Sequence, residues 1–438
     1  TDTHQDISIT NVNGNSSNGA VIAIGDDGTG AALLVGAMMY DITIDGVYGY
    51  ATAAAGLVQV SGINVKSVTA RNLVVGDPFS SAFTFIPANC AYTNGSWTHA
   101  SLTMTSSGAF TNYRFKEGDQ IAVTAGTNAT KGIYRIARRV SNDAIQLDRT
   151  IGASATTNIS FSIMSLQSLA LDGVISDPTV GTMASVINLG ASNGGGIGDV
   201  KISNSRALLG VSGVFITTGG SNNAIPRLRL SNSESDGLGN SNGVGITIAS
   251  GSGAGSFIYD EVITQTTTGA TGRFRKWDGA NTIYATVTSG TFTGANVVTG
   301  GTSGATITPP SGASTLYNVS HIRNGAQTVD QDWSFSGITM KNGGYFVQSS
   351  NASSLVISYT GWTFDNPGLS SLWQTTTGLL RIQGTGAKCY PASTSMGQLT
   401  SSGTALIQVD DRDYAATAQK LTPRKGDRVN NVTAVVNP

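Results

Sequence analysis

Cysteine is almost missing from this chain: Cys90 and Cys389 are the only two in 438 residues. Two thiols so far apart make neither a disulfide framework nor a metal-ligand cluster, so stability has to come from packing and from association between chains. Charge is scarce too. Only 12% of the residues are charged, 25 basic against 26 acidic, where a soluble globular domain carries about 25%. No basic stripe is present to meet a phosphate backbone, which excludes nucleic acid as a partner. Proline numbers ten, so the 56 glycines do not come with the proline enrichment of disordered tracts. His4, His99 and His321 are the only histidines, and their spacing fits no zinc motif. No calcium-loop spacing of carboxylates occurs either, so neither a metal nor a cofactor is expected. Long apolar runs are absent: the most apolar early stretch, Ala31 to Met39, is far short of the ~18 residues that insertion across a membrane needs. No signal-peptide pattern follows Thr1, and a start at threonine is expected of a chain trimmed at its N-terminus.

What fills the chain instead is one short phrase, returned to again and again: apolar, any, apolar, then a small polar or glycine corner. It reads Ile7-Ser8-Ile9-Thr10-Asn11, Ile42-Thr43-Ile44-Asp45-Gly46 and Val68-Thr69-Ala70-Arg71-Asn72. It resumes as Leu169-Ala170-Leu171-Asp172-Gly173, Val200-Lys201-Ile202-Ser203-Asn204 and Leu228-Arg229-Leu230-Ser231-Asn232. The last instances are Trp333-Ser334-Phe335-Ser336-Gly337, Val356-Ile357-Ser358-Tyr359 and Leu380-Arg381-Ile382-Gln383-Gly384. The alternation is that of strands with one buried face. Its spacing of about 22 to 35 residues lies in the range where self-similarity signals a solenoid. A strand this short cannot bury its apolar side chains alone, but stacked on the same strand of the next coil it forms a parallel sheet over a continuous core. Glycine and asparagine at the corners supply the left-handed backbone that a sharp bend needs. Asp45 and Asp172, at corner positions, read as turn formers. The expected fold is therefore all-β: a right-handed parallel β-helix, a solenoid, with two small inserted β modules.

Two breaks in the rhythm define those modules. From about 95 to 163 the chain carries Phe115-Lys116-Glu117-Gly118-Asp119-Gln120-Ile121, Gly132-Ile133-Tyr134-Arg135-Ile136 and Ala144-Ile145-Gln146-Leu147-Asp148. This stretch is unusually charged and reads as a compact antiparallel β unit; removing its roughly 75 residues leaves about one rung. From 255 to 310 the chain duplicates itself: Val262-Ile263-Thr264 falls on Val297-Val298-Thr299, and Thr267-Thr268-Gly269-Ala270-Thr271 on Thr302-Ser303-Gly304-Ala305-Thr306. Two copies of a β-hairpin unit are expected there, with Gly251 to Gly255 and Pro309-Pro310-Ser311-Gly312 as linkers. The organisation read from the sequence is thus rungs over 1–94, 164–254 and 311–404, modules at 95–163 and 255–310, and a C-terminal segment, 405–438. That segment holds Asp410-Asp411-Arg412-Asp413 and Arg424-Lys425-Gly426-Asp427-Arg428, and it is expected to cap the stack or to be exchanged within a trimer.

The Thr-Thr/Ser-Gly-Ala-Thr repeat, the Phe-Lys-Glu-Gly-Asp-Gln-Ile segment and the rung phrase together resemble the parallel β-helix tailspikes and tail fibres of bacteriophages. That resemblance implies a homotrimer in a virion tail appendage, outside the cell, joined to other phage tail proteins and contacting bacterial surface polysaccharide, which many members cleave. It implies no insertion into a membrane.

Glycan cleavage uses two carboxylates about 5–9.5 Å apart. Glu234 and Asp236 follow a rung phrase, and alternation puts both on one face, roughly 7 Å apart in an extended segment; a solvated acidic corner is the competing reading. Asp330 and Asp332 form the second candidate catalytic pair, against a turn beside one buried Trp, and Asp365 is a weaker third. Trp333, Trp362 and Trp373 are the candidate sugar-binding rings. Two Gly-x-Ser-x-Gly matches, at Gly190 and Gly239, lack the strand-to-helix context that would give them meaning. Attachment without cleavage is favoured over a carboxylate-pair glycosidase, a lyase ranks below both, and a purely structural tail component is the third reading.

Overall fold

The computed structural model describes residues 4–407 apart from 17–18, 26–38, 52–55, 63–64, 77–80, 88–89, 112–114, 178–184, 191–194, 210–213, 219–223, 238–241, 248–255, 278–281, 311–313, 319, 351–352, 375–379, 386–387, 391–396 and 400–404. The charged C-terminal segment beyond Ile407, and the Gly251–Gly255 linker, therefore lie outside the described residues. Among the described residues there is no α-helix, and no helix is long and apolar enough to cross a membrane.

The chain is all-β, and its largest sheet system is parallel. The rung phrases stack in register. Ile42 lies opposite Val68, Val68 opposite Leu169, Leu169 opposite Val200, and the row continues through Leu228, Trp333, Ile357 and Ile382. Ile382, not Leu380, is the residue that meets Ile357, so the last phrase sits two residues off the reading taken from its letters. Among the described residues the parallel strands of this system fall into three columns, and each column pairs with itself. After the phrase column comes a second, in which Val47 meets Leu73 and Leu73 meets Val174. A third joins Ile22–Gly25, Val58–Gly62, Phe83–Pro87, Ile187–Leu189, Ile216–Thr217 and Ser320–Asn324. The result is a β-helix-like stack whose inward side chains form one continuous apolar core from Ile22 to Trp362.

The corners between the first two columns show why the sequence places Asn or Gly there. Asn11, Gly46, Asn72, Gly173, Asn204, Asn232, Gly337 and Gly361 all have φ between +46° and +71°. A left-handed residue costs little only when it is Gly, Asn or Asp. The asparagines also bond across rungs: Asn72 Nδ2 donates to Asp45 at 2.8 Å and Asn204 Nδ2 to Asp172 at 2.7 Å. At Gly46 a Cβ would stand 3.0 Å from Asn11 Oδ1, so glycine there leaves room for the asparagine of the neighbouring corner.

Six antiparallel strands between Ala91 and Ile163 close into a barrel. Trp97, Phe110, Ile121, Tyr134, Leu147 and Phe161 fill it. The stack does not register the interruption, because Leu166–Asp177 resumes directly on Ser67–Gly76. A second departure leaves after Glu234–Asp236 and returns at Ser320–Asn324, which pairs with Ile216–Thr217. Between them lies a seven-stranded antiparallel sheet. It is larger than the 255–310 span of the duplicated sequence, for it also takes Asn242–Thr247 and Ser314–Asn318, which pair with each other.

The duplication is visible in this sheet. Thr264 pairs with its counterpart Thr299, so the two copies are related across that point. Both turns carry glycine with positive φ, Gly269 at 70° and Gly304 at 67°. Glu261 departs from the symmetry: its carboxylate accepts from the backbone N–H of Ile258, Thr302 and Ser303 and from Ser303 Oγ at 2.7–3.0 Å. Burial raises its pKa, but these donors outweigh burial and hold it below the usual carboxylate value.

Candidate functional site

The barrel is seated on the stack through the strand Gln120–Ala125 and the connection that follows Ile163. Gln120 is the hinge of this contact. Its N–H donates to Gln167 Oε1 at 2.7 Å, its carbonyl accepts from the Met164 N–H, and its Oε1 accepts from Arg227 Nη2 at 2.7 Å. Ala122, Met164, Ala224 and Val329 make a small apolar seal beside it. Further along, Lys66 of the stack and Asp119 of the barrel form a buried ion pair at 3.8 Å, with the Phe115 ring 5.8 Å from the ammonium. Burial pushes the Lys66 ammonium below its ordinary pKa and the Asp119 carboxyl above its own, while their mutual attraction opposes both shifts.

This seating leaves a cleft of about 580 Å³ between the two bodies. The barrel contributes Gln120, Ile133, Arg135, Asp148 and Arg149; the stack contributes Pro226, Arg227, Asp330, Gln331, Asp332, Val356 and Ser358. Strand alternation fixes the stack side: Gln331 and Trp333 turn inward, and Asp332 and Ser334 turn out to solvent. Asp332 is held on its rung by its N–H donating to the Pro226 carbonyl at 2.7 Å, and it lies in register with Arg227. Asp330 Oδ1 accepts from the Ser354 N–H at 2.9 Å. On the barrel side Asp148 accepts from the Arg135 N–H at 3.1 Å. Arg149 donates to the Ile133 carbonyl at 2.6 Å and lies 5.0 Å from the Tyr134 ring centroid. Three carboxylates and three guanidinium groups thus face one trough. Carboxylates accept from hydroxyls and guanidiniums donate to them, so a polyhydroxylated ligand finds both roles within reach.

Of the sequence-derived candidates, Asp330 and Asp332 stand in this cleft. Glu234 and Asp236 do not. They do share an outward face, flanking buried Ser235, but on the second strand column, where Glu234 forms an ion pair with Lys341 at 2.8 Å. Its register neighbours are Arg206 and Thr339, and those of Asp236 are Leu208 and Lys341. The pair belongs to a ladder of surface charges. Asp365 lies on the same column, in register with Lys341.

The tryptophans require a correction. Trp333 and Trp362 are both 0% exposed, packed with Phe335 in the core of the stack, where the Phe335 and Trp362 rings meet edge to face at 4.9 Å. Neither offers a ring face to a sugar. The rung phrase carried the signal: Trp333 occupies its first apolar position, which alternation points inward. Trp373 lies in the strand Leu355–Gln374, and its side chain is outside the described residues.

One arrangement has the look of a nucleophile and its base: Ser235 Oγ lies 2.6 Å from His321 Nδ1. Both residues are sealed inside the stack, and burial lowers the His321 pKa to about 3. A neutral imidazole with no exposed face is a structural group. Among the described residues no three His, Cys, Asp or Glu side chains gather as a metal would require.

Residue-by-residue reading missed Gln120, Arg135, Asp148, Arg149 and Arg227. The only signal was the concentration of charge in the 95–163 segment; nothing local told which rung it would face.

No family model matches the chain, and no curated protein matches it. Among solved structures it is similar to the tailspike protein gp49 of Pseudomonas phage LKA1, at 10% identity and a TM-score of 0.22, over 86% of this chain and 70% of that one.

Proposed function

We propose that this chain is a bacteriophage tailspike or tail fibre, whose body is a right-handed parallel β-helix and whose role is attachment to bacterial surface polysaccharide. The observation that carries the reading is the cleft between barrel and stack. It is open and built from two bodies, and its charged and amide side chains present the acceptors and donors that a run of sugar hydroxyls needs. The rung phrase and the two module motifs support placing the chain in a virion appendage, as a homotrimer joined to other tail proteins. On this reading the barrel and the seven-stranded sheet are modules inserted into the stack at corners between its columns, where insertion is tolerated.

A second reading, hydrolysis of the bound polysaccharide, is favoured by one feature: Asp332 and Asp148 approach the same trough from different bodies, as an acid and a base on opposite sides of a glycosidic bond would. One experiment separates the two. The protein is incubated with a panel of purified capsular and O-antigen polysaccharides, with retention measured by biolayer interferometry and chain length by size-exclusion chromatography. Retention at constant chain length is the expected outcome, and shortening chains would establish the hydrolase instead. If no polysaccharide on the panel is retained, attachment is wrong.

A further inference from the structure

A second surface, on a different strand column and earlier in the stack than the cleft, has carbohydrate-binding chemistry of another kind. In the strand Ile42–Ala51, alternation sends Val47 and Gly49 inward and Tyr48 and Tyr50 outward, where they are 45% and 39% exposed. Their rings meet edge to face at an interplanar angle of 78°, and their hydroxyls lie 3.4 Å apart. The neighbouring rungs frame them. Asn13 and Asn15 stand in register on one side, both exposed, and Asn15 Oδ1 accepts from the Tyr50 N–H at 3.3 Å. On the other side Tyr50 is in register with Gly76, where a Cβ would come within 2.8 Å of the Tyr50 ring. The absence of a side chain at Gly76 is what lets that ring lie across the next rung. Ile175, 41% exposed, extends the apolar ground one rung further along the Tyr48 row.

Aromatic rings beside amides, with no charged side chain among these six residues, have a specific complement. A pyranose presents C–H groups that pack on a ring face and hydroxyls that bond to amides and phenols. A nucleic acid would bring phosphates with nothing among these six to neutralise them, and an acidic sugar would find no cation beside the two rings, for the first on this row is Arg206, one rung beyond Ile175. We propose that Tyr48 and Tyr50, with Asn13 and Asn15, form a platform for an uncharged pyranose of the surface polysaccharide, distinct from the charged cleft. The proposal rests on the attachment reading above and adds to it a second, neutral subsite.

The test uses the full chain on an array of neutral and acidic bacterial oligosaccharides, with three proteins beside the wild type: Tyr48→Ala/Tyr50→Ala, Tyr48→Phe/Tyr50→Phe, and Asp332→Asn. The expected result is that the alanine pair weakens binding of neutral glycans about tenfold or more, the scale of one lost ring-stacking contact. The phenylalanine pair, which keeps the rings, stays within about threefold. Unchanged melting temperatures show that the variants are folded, and the phenylalanine pair keeps the test decisive if the alanine pair is not. Neutral glycans bound equally well by the wild type and the alanine pair would overturn the platform while leaving attachment standing. So would binding confined to acidic glycans, or an alanine pair that alters only sedimentation of the oligomer, which would make this face a contact with a second copy. A wild type that binds nothing on the array removes the attachment reading itself.

Discussion

Asn204 shows how single residues set the corners of the parallel stack. Its φ of 49° and its 2.7 Å bond to Asp172 are both available to asparagine and only the first to glycine. Asn204→Ala should therefore cost about 2 kcal/mol, from left-handed strain and a lost inter-rung bond, whereas Asn204→Gly should cost about 1 kcal/mol. Urea denaturation of the stack measures both, and equal costs would assign the residue's value to the bond alone. His321 makes a pH-dependent contribution. Burial holds its pKa at about 3 in the folded chain, against about 6.5 unfolded. As pH falls below about 6.5 the unfolded chain takes up a proton that the folded chain refuses, so stability is lost progressively toward pH 3. His321→Gln keeps a neutral partner for Ser235 and removes the titration; its melting temperature should fall less between pH 7 and 4 than that of the wild type.

At the scale of elements, the seating of the barrel depends on Lys66 and Asp119. Removing one member of a buried pair leaves the other uncompensated, at about 3–5 kcal/mol, while replacing both with apolar residues of similar size is close to neutral. Lys66→Met should thus loosen the barrel, read as faster limited proteolysis of the 164–166 connection, and Lys66→Met/Asp119→Leu should restore protection. Because burial raises the Asp119 carboxyl, mild acid should neutralise it and ease the single variant's defect. If the single variant resists protease as the wild type does, the pair has no part in docking. The seven-stranded sheet is organised differently. Its two copies share a turn and a core, with Phe257 and Phe292 at matching places, and Glu261 ties one copy to the other's turn.

For the whole molecule, the cleft exists only because barrel and stack are held face to face. Asp332 can be changed without touching that contact, since it is exposed and its anchoring bond to Pro226 is made by its backbone. Asp332→Asn should leave the melting temperature within about 2 °C of the wild type, as a surface change does. It should also lower retention of the captured polysaccharide about five- to tenfold, the value of one charge-assisted hydrogen bond. Undiminished retention would rule out the cleft as the proposed polysaccharide site.

The letters of the chain determined what is local and repeated. Burial parity follows from alternation, so Ile42, Leu169 and Trp333 turn inward and Tyr48, Tyr50 and Asp332 outward. The left-handed corners follow from Asn and Gly, and the twin turns at Gly269 and Gly304 follow from a duplicated phrase. Each of these is decided by a residue and its immediate neighbours, through side-chain direction or the cost of positive φ. Tertiary structure alone decided which acidic pair shares a cleft with Asp148 and the arginines. It also decided that Glu234 pairs with Lys341 and that the second sheet extends to Asn242 and Asn318. Those outcomes depend on register between strands far apart in the chain: Gln120 and Arg227, which join the two walls of the cleft, are 107 residues apart. No periodicity carries that information, because it is set by how two separately packed bodies come to rest on one another.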